Sequence, residues 1–442
     1  MSATEKLNAF GNPLLRETAL AMDAADPLAK FRDEFLITDP TMCYLDGNSL
    51  GRLPKATVAS VNSFLTDEWG TQLVDGWSHW IDQAQEAGNQ LGRATLGAAA
   101  GQVLVQDTTS VNFYQACVAA IKARPGRKTV IIDAANFPTD RFILQGIAQQ
   151  MGLNIVTLNN DGSGGPNAVD IDAPCELIAP EALAPFLTDD VALVTLQVIN
   201  YRSGALPDIA GITELCRQNG TLVVWDASHA VGSVDLRFDD WGVDLAVGCT
   251  YKYLNAGPGA PAWLYVRKQL QKDLGAPIQG WFAQDKQFEM GPFFEPTTTE
   301  MRRFQIASPS IIGIRMVQSS LNIIEAAGMP AIAAKAQLGT ELMLALFDAW
   351  LAPLGFTLIT PREAGSRGGH ISVVHPDAKK IAAALRTVKN VIPDFRTPSG
   401  IRLAIAPLPT SFVEVWDGFA RLRDLVESRE YLNIEDNGSR VT

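Results

Sequence analysis

Six short runs rich in Val, Leu and Ile, at residues 102–106, 129–133, 154–158, 192–198, 221–226 and 245–250, lack the polar alternation of a strand with one wet face. Runs of that kind fit strands buried on both faces, as in a mainly parallel sheet covered by helices. Helical patterns at 111–123, 141–150 and 209–218 fall between several of them. Strand and helix in alternation is the α/β signature. The chain has 442 residues, enough for such a layer with a substantial core and a smaller neighbour. Past residue 312 the rhythm changes to long helices, at 312–327 and 331–351, then strands and a helix in α+β order. The expected organisation is an N-terminal arm and turn segment at 1–55, a large domain at 56–312 and a small α+β domain at 313–442.

Charge and composition exclude several functions. Lys plus Arg number 36 against 48 Asp plus Glu, a net charge of −12, and nucleic acids or anionic membranes reward the opposite sign. The start of the chain lacks a basic segment followed by an apolar run, and no apolar run approaches the ~18 residues of a membrane span. A cytoplasmic protein is expected. The five cysteines, Cys43, Cys117, Cys175, Cys216 and Cys249, are scattered and never spaced as CxxC. That pattern argues against a disulfide framework and a thiolate zinc site, and no metal site is predicted.

Two motifs invite a nucleophile or phosphate reading. Gly47-Asn-Ser-Leu-Gly51 matches G-x-S-x-G, with Asp226 and His229 later in the chain. A nucleophile elbow, however, sits in the middle of an already built sheet, and this one precedes every sheet strand of the main series. A glycine-containing turn is the simpler reading. No Walker-type G-x-x-x-x-G-K-[ST] occurs. Asp107-Thr-Thr-Ser-Val-Asn112 joins a predicted strand to a predicted helix, so Thr108, Thr109 and Ser110 both cap that helix and offer donors to an anion.

The most informative stretch is Thr221-Leu-Val-Val-Trp-Asp-Ala-Ser-His-Ala230, followed by Gly248-Cys-Thr-Tyr-Lys-Tyr-Leu-Asn-Ala-Gly-Pro-Gly259. One apolar run ends in Asp226 and the next leads to Lys252. In a parallel sheet both ends open onto the same carboxyl edge, where ligands bind. A lysine for a Schiff base and a carboxylate facing a pyridine nitrogen are what pyridoxal phosphate requires. Lys252 follows an apolar run rather than a polar face, which sets it apart from an ordinary surface lysine. Phe137, in Asn136-Phe-Pro-Thr-Asp140, is a candidate to stack on the ring.

These motifs, with Tyr44-Leu-Asp-Gly-Asn-Ser-Leu-Gly51 and Gly280-Trp-Phe282, resemble the kynureninase family in series and in order from about residue 40 to 420. The resemblance implies the pyridoxal-phosphate-dependent fold type I, aspartate aminotransferase-like, as a homodimer with shared active sites. It implies Lys252 as the cofactor lysine, Asp226 as the pyridinium partner, and Phe137 stacked on the ring with Asp140 and His229 close by. Thr109, Ser110, Tyr251, Trp281 and Ser308 would hold the phosphate, Trp281 and Ser308 reaching it from the neighbouring subunit. Arg402 would clamp the substrate carboxylate, and Trp77 and His79 could face the aryl group. The implied reaction is hydrolytic Cβ–Cγ cleavage of L-kynurenine, 3-hydroxy-L-kynurenine or both, to the (3-hydroxy)anthranilate and L-alanine, with Tyr251 as proton donor or acceptor. The alternative is a kynureninase-like enzyme for another amino acid with a Cβ leaving group.

The chain departs from the family pattern at Ala283-Gln284, at Ser308-Pro309 in the phosphate-and-substrate loop, and at Pro409, several of them positions expected to shape the substrate pocket. A desulfurase-like role would want a nucleophilic cysteine on a mobile loop, whereas Cys249 falls on the lysine strand and is expected to be buried.

Overall fold

The structure, a computed structural model, describes residues 2–159, 164–165, 177–297 and 301–433. Cys175 lies outside them. Numbered along the chain, the strands of the large sheet are β2 (Val103–Val105), β3 (Thr129–Asp133), β4 (Asn154–Leu158), β5 (Gly164–Gly165), β6 (Val191–Gln197), β7 (Leu222–Asp226), β8 (Leu245–Gly248) and β9 (Trp263–Val266), after a short β1 (Cys43–Tyr44) that lies elsewhere. Their order across the sheet is β2-β9-β8-β7-β6-β3-β4-β5. The block from β8 to β4 is parallel throughout. β9 runs antiparallel to both its neighbours, and β5 antiparallel to β4.

All six apolar runs lie in this sheet. β6, β7, β8 and β9 are buried at every position, as expected of strands covered on both faces. β9 and the two-glycine β5 are not among the predicted strands. The apolar residues of β9 follow directly on the Gly/Pro loop after Lys252, so the loop signal hides the strand that begins there. The run at 245–250 also ends early as a strand, at Gly248, because residues 249–252 leave the sheet to form the turn that carries the lysine.

A second sheet, in the order β10-β11-β14-β13, is formed by β10 (Thr357–Leu358), β11 (His370–Val374), β13 (Asp394–Arg396) and β14 (Gly400–Ala404). All its pairings are antiparallel. β1 pairs in parallel with β12 (Val391–Ile392), so the N-terminal segment is stitched to the C-terminal part. Leu7, Ala19, Met22, Cys43 and Leu45 accordingly share a core with Phe412, Val415 and Leu422 from the last long helix, Phe412–Glu427. A separate core surrounds the large sheet. Among the described residues, no helix is long and apolar enough to cross a membrane, and no group of three His, Cys, Asp or Glu side chains is placed to hold a metal ion.

Candidate active site

The carboxyl edge of the parallel block opens into a cavity of about 320 Å³. Three local structures aim side chains into it. The helix Thr109–Lys122 starts at the cavity, with Thr108 in extended backbone as its cap, its hydroxyl accepting from Val111 N at 3.3 Å. Thr109 and Ser110 line the wall there, beside unpaired first-turn N–H groups that favour an anion. The helix Pro138–Met151 begins with proline at its first turn and ends at Gly152 with φ +64°, a left-handed stop that suits glycine. That start places Phe137 and Asp140 in the cavity wall. The lysine turn is pinned by Asn255 N donating to Lys252 O (2.8 Å) and by Gly51 N donating to Tyr251 O (2.8 Å). Asn255 takes φ +59°, which an Asn tolerates better than most residues.

Lys252 Nζ lies 3.3 Å from His229 Nε2 and 3.4 Å from Nδ1, and 6.0 Å from the centre of the Phe137 ring. Burial lowers the Lys252 amine, and burial next to Lys252 and Arg402 drives His229 well below the usual histidine range, so this imidazole is neutral. Asp226 accepts from Ser228 N at 2.8 Å. Asp140 lies against Asp226, and burial together with that second carboxylate pushes Asp140 well above the usual carboxylate range. Asp140 Oδ2 is buried with no hydrogen-bond partner among the described residues. The Cys249 sulfur beside it, and burial, hold the Tyr251 phenol above its ordinary range, so it stays protonated. Cys249 itself is buried and its thiol is raised by that burial, the opposite of a nucleophilic cysteine.

This donor set fits pyridoxal phosphate. A buried amine with a neutral histidine beside it, an aromatic ring, two carboxyl groups of which one has an orphaned oxygen, and hydroxyls at a helix start all face one cavity.

Arg402, on β14, is fully buried and stands outside the cavity wall, behind His229. Its Nη1 donates to Tyr201 O at 2.6 Å and lies 3.3 Å from His229 Nε2; its Nη2 donates to Ser49 Oγ at 3.0 Å. Asp394, directly across on β13, takes Nε and Nη2. The turn at Gly47-Asn-Ser-Leu-Gly51 is therefore a link between Arg402 and the lysine segment. A Cβ at Gly51 would stand 2.4 Å from Lys252 O, which explains the glycine.

Trp281 and Ser308 are exposed and away from their own chain's cavity. Trp77 and His79 likewise stand apart from it: Trp77 packs with Phe64, Trp80 and Ile311 and meets Phe282 edge-on at 6.2 Å, and His79 Nε2 lies 3.5 Å from Glu68. At the departures, Ala283 is fully buried, Gln284 Oε1 accepts from Glu295 N at 2.7 Å, and Pro409 O accepts from Arg32 Nε at 3.1 Å. Ser228 and Gly259 also line the cavity; both lie inside the quoted motifs, where nothing in the local pattern marks them out from their neighbours.

Comparison with known proteins places this geometry. Residues 332–422 match the model of the kynureninase C-terminal domain. A kynureninase of Pseudomonas fluorescens is 35% identical over 423 residues, covering 94% of this chain and 96% of that protein. One of Burkholderia pseudomallei (strain 1106a) is 34% identical over the same span and coverage. Among solved structures, the apo cysteine desulfurase of Thermococcus onnurineus NA1 superposes with a TM-score of 0.76 at 15% identity, over 90% of this chain and 98% of that one. A mutant C-DES with glycine covalently linked to its PLP cofactor gives 0.73 at 16% identity, over 87% and 97%. At such identities the likeness is one of fold, the α/β fold type I.

Proposed function

The chain belongs to the kynureninase family, and from that premise we propose that it uses pyridoxal 5′-phosphate to cleave L-kynurenine, 3-hydroxy-L-kynurenine or both between Cβ and Cγ. Water is the co-substrate, and the products are the (3-hydroxy)anthranilate and L-alanine. The observation that carries this reading is the meeting of Lys252, His229, Asp226, Asp140 and Phe137 at one cavity on the carboxyl edge of the sheet.

When bound, the cofactor supplies an aldehyde for the substrate amine and a ring that draws electrons from Cα. The side chains of this chain do the rest. Lys252 would be the residue that holds the aldehyde end, and once free of it would move the Cα proton; burial lowers its amine, which favours the neutral form that such a base needs. Asp226 would face the ring nitrogen and keep it positively charged, and Asp140, raised by burial and by that neighbour, would carry its own proton and stabilise the Asp226 carboxylate. Phe137 would be the aromatic residue that stacks on the ring. Thr109 and Ser110 would hold the phosphate at the helix start, with Tyr251 as a third donor. Tyr251 also stands next to Lys252, where a protonated phenol can give a proton to the departing Cβ. His229, neutral, accepts from Arg402 and adds no charge of its own beside Lys252.

Arg402 takes the substrate α-carboxylate by exchanging its contacts to Ser49 and His229. A bidentate fork suits that job. Trp281 and Ser308 complete the phosphate site of the partner in a homodimer, and Trp77 and His79 face its aryl pocket. The boundaries 1–55, 56–312 and 313–442 belong to the same proposal, with the arm bound to the small domain, as does a cytoplasmic setting. Reductive trapping tests the cofactor assignment: borohydride treatment of the loaded protein followed by peptide mapping should place a pyridoxyl group on Lys252. Label on another lysine, or none, contradicts the reading.

A further inference from the structure

Asp394 is the counter-ion of two arginines, not one. It takes Nε and Nη2 of Arg402, and Arg396 Nε donates to the same Oδ2 at 3.0 Å. The two arginines differ sharply in what they have left to offer. A guanidinium carries five N–H donors. Those of Arg402 are all engaged, by Asp394, Ser49, Tyr201 O and His229, and its side chain is completely buried. Arg396 has only Nε engaged, its Nη1 and Nη2 have no partner among the described residues, and its side chain is 30% exposed. Through Asp394 it stands one carboxylate away from Arg402, whose Nη1 lies 3.3 Å from His229 Nε2 on the cavity wall, so Arg396 is joined to the site rather than set on a remote face.

We propose that Arg396 is a second carboxylate-binding residue of this site, the one whose free fork first receives the carboxylate of the incoming amino acid. A partly exposed guanidinium with its bidentate edge open can take a carboxylate without giving up any contact. Arg402 must first release Ser49 and His229. Asp394 serves the pair as one shared counter-ion and braces both guanidinium groups. The proposal rests on the reading of the ligand as an α-amino acid, and not on which aryl ketone it carries.

Arg396→Gln and Arg396→Lys in the cofactor-loaded protein test it. For Arg396→Gln, KM for L-kynurenine should rise about tenfold or more with kcat changed little, because a charged contact made before chemistry is lost. Arg396→Lys, which keeps the charge but not the fork, should fall between the two. The dissociation constant of L-alanine, read from the change in cofactor absorbance without turnover, should rise by a similar factor. Unchanged KM and unchanged alanine affinity in Arg396→Gln overturn the proposal. So does a loss confined to melting temperature, which would make Arg396 only a brace for Asp394. Failure of the wild-type protein to cleave kynurenine would sink the proposed reaction alone, since alanine binding still decides the role of Arg396.

Discussion

Lys252 has a neutral imidazole for its nearest polar neighbour and no carboxylate in an ion pair with it among the described residues. An amine left in that state is reactive rather than structural, which is how a lysine meant for a carbonyl differs from one meant for a salt bridge. Asp226 is the complementary residue. Asp226→Asn should keep the fold and the cofactor yet lower turnover by about 100-fold, since a neutral partner no longer holds the ring nitrogen charged. Near-normal kcat in that variant removes the assigned role. The same substitution takes the second carboxylate away from Asp140, which should therefore ionise more readily. Both halves of this pair were readable in the sequence, because each follows an apolar run whose end must fall on the carboxyl edge. The cage around Arg402 was not: Ser49, Tyr201, His229 and Asp394 come from four separate stretches, and no local pattern announces that they meet.

At the level of elements, the strand ends do more than terminate the sheet. β3 ends in Asp133, buried, with Ala135 N donating to its Oδ1 at 2.8 Å and burial pushing its carboxyl up to about 6. The folded state thus binds this proton more tightly than the unfolded state does. Its contribution to stability is present below the ordinary aspartate pKa and is lost as pH rises through about 6. Chemical denaturation from pH 4 to 7 should show that decline, of order 1–3 kcal/mol, and Asp133→Asn should flatten it. An unaltered slope in the variant would assign the decline to other buried acids, Asp46 among them, whose carboxyl is also pushed up to about 6, chiefly by burial. The parallel strands were legible because strands covered on both faces have no polar alternation. β9 was not, because an apolar strand that follows directly on a Gly/Pro loop reads as part of that loop.

The whole molecule leaves large apolar side chains in solvent on the segments that surround Trp281. Phe288, Met290 and Phe293 are 67%, 71% and 81% exposed, and Val74 is 76% exposed. A patch of that kind marks an interaction surface, and the homodimer proposed above would cover it. Sedimentation should give twice the 47.7 kDa of one chain. Phe293→Asp should weaken the dimer and, with it, cofactor retention, because Trp281 and Ser308 then no longer reach a neighbouring site. A wild-type monomer with full activity would contradict the shared-site arrangement.

The central claim is the reaction, and one assay reaches it most directly. The purified, pyridoxal-phosphate-loaded protein is given L-kynurenine and 3-hydroxy-L-kynurenine side by side, and the aryl product and alanine are followed together. Equimolar alanine and anthranilate, or 3-hydroxyanthranilate, is the result expected. A change in cofactor absorbance with neither product from either substrate would contradict it, leaving the cofactor site in place and the substrate misassigned.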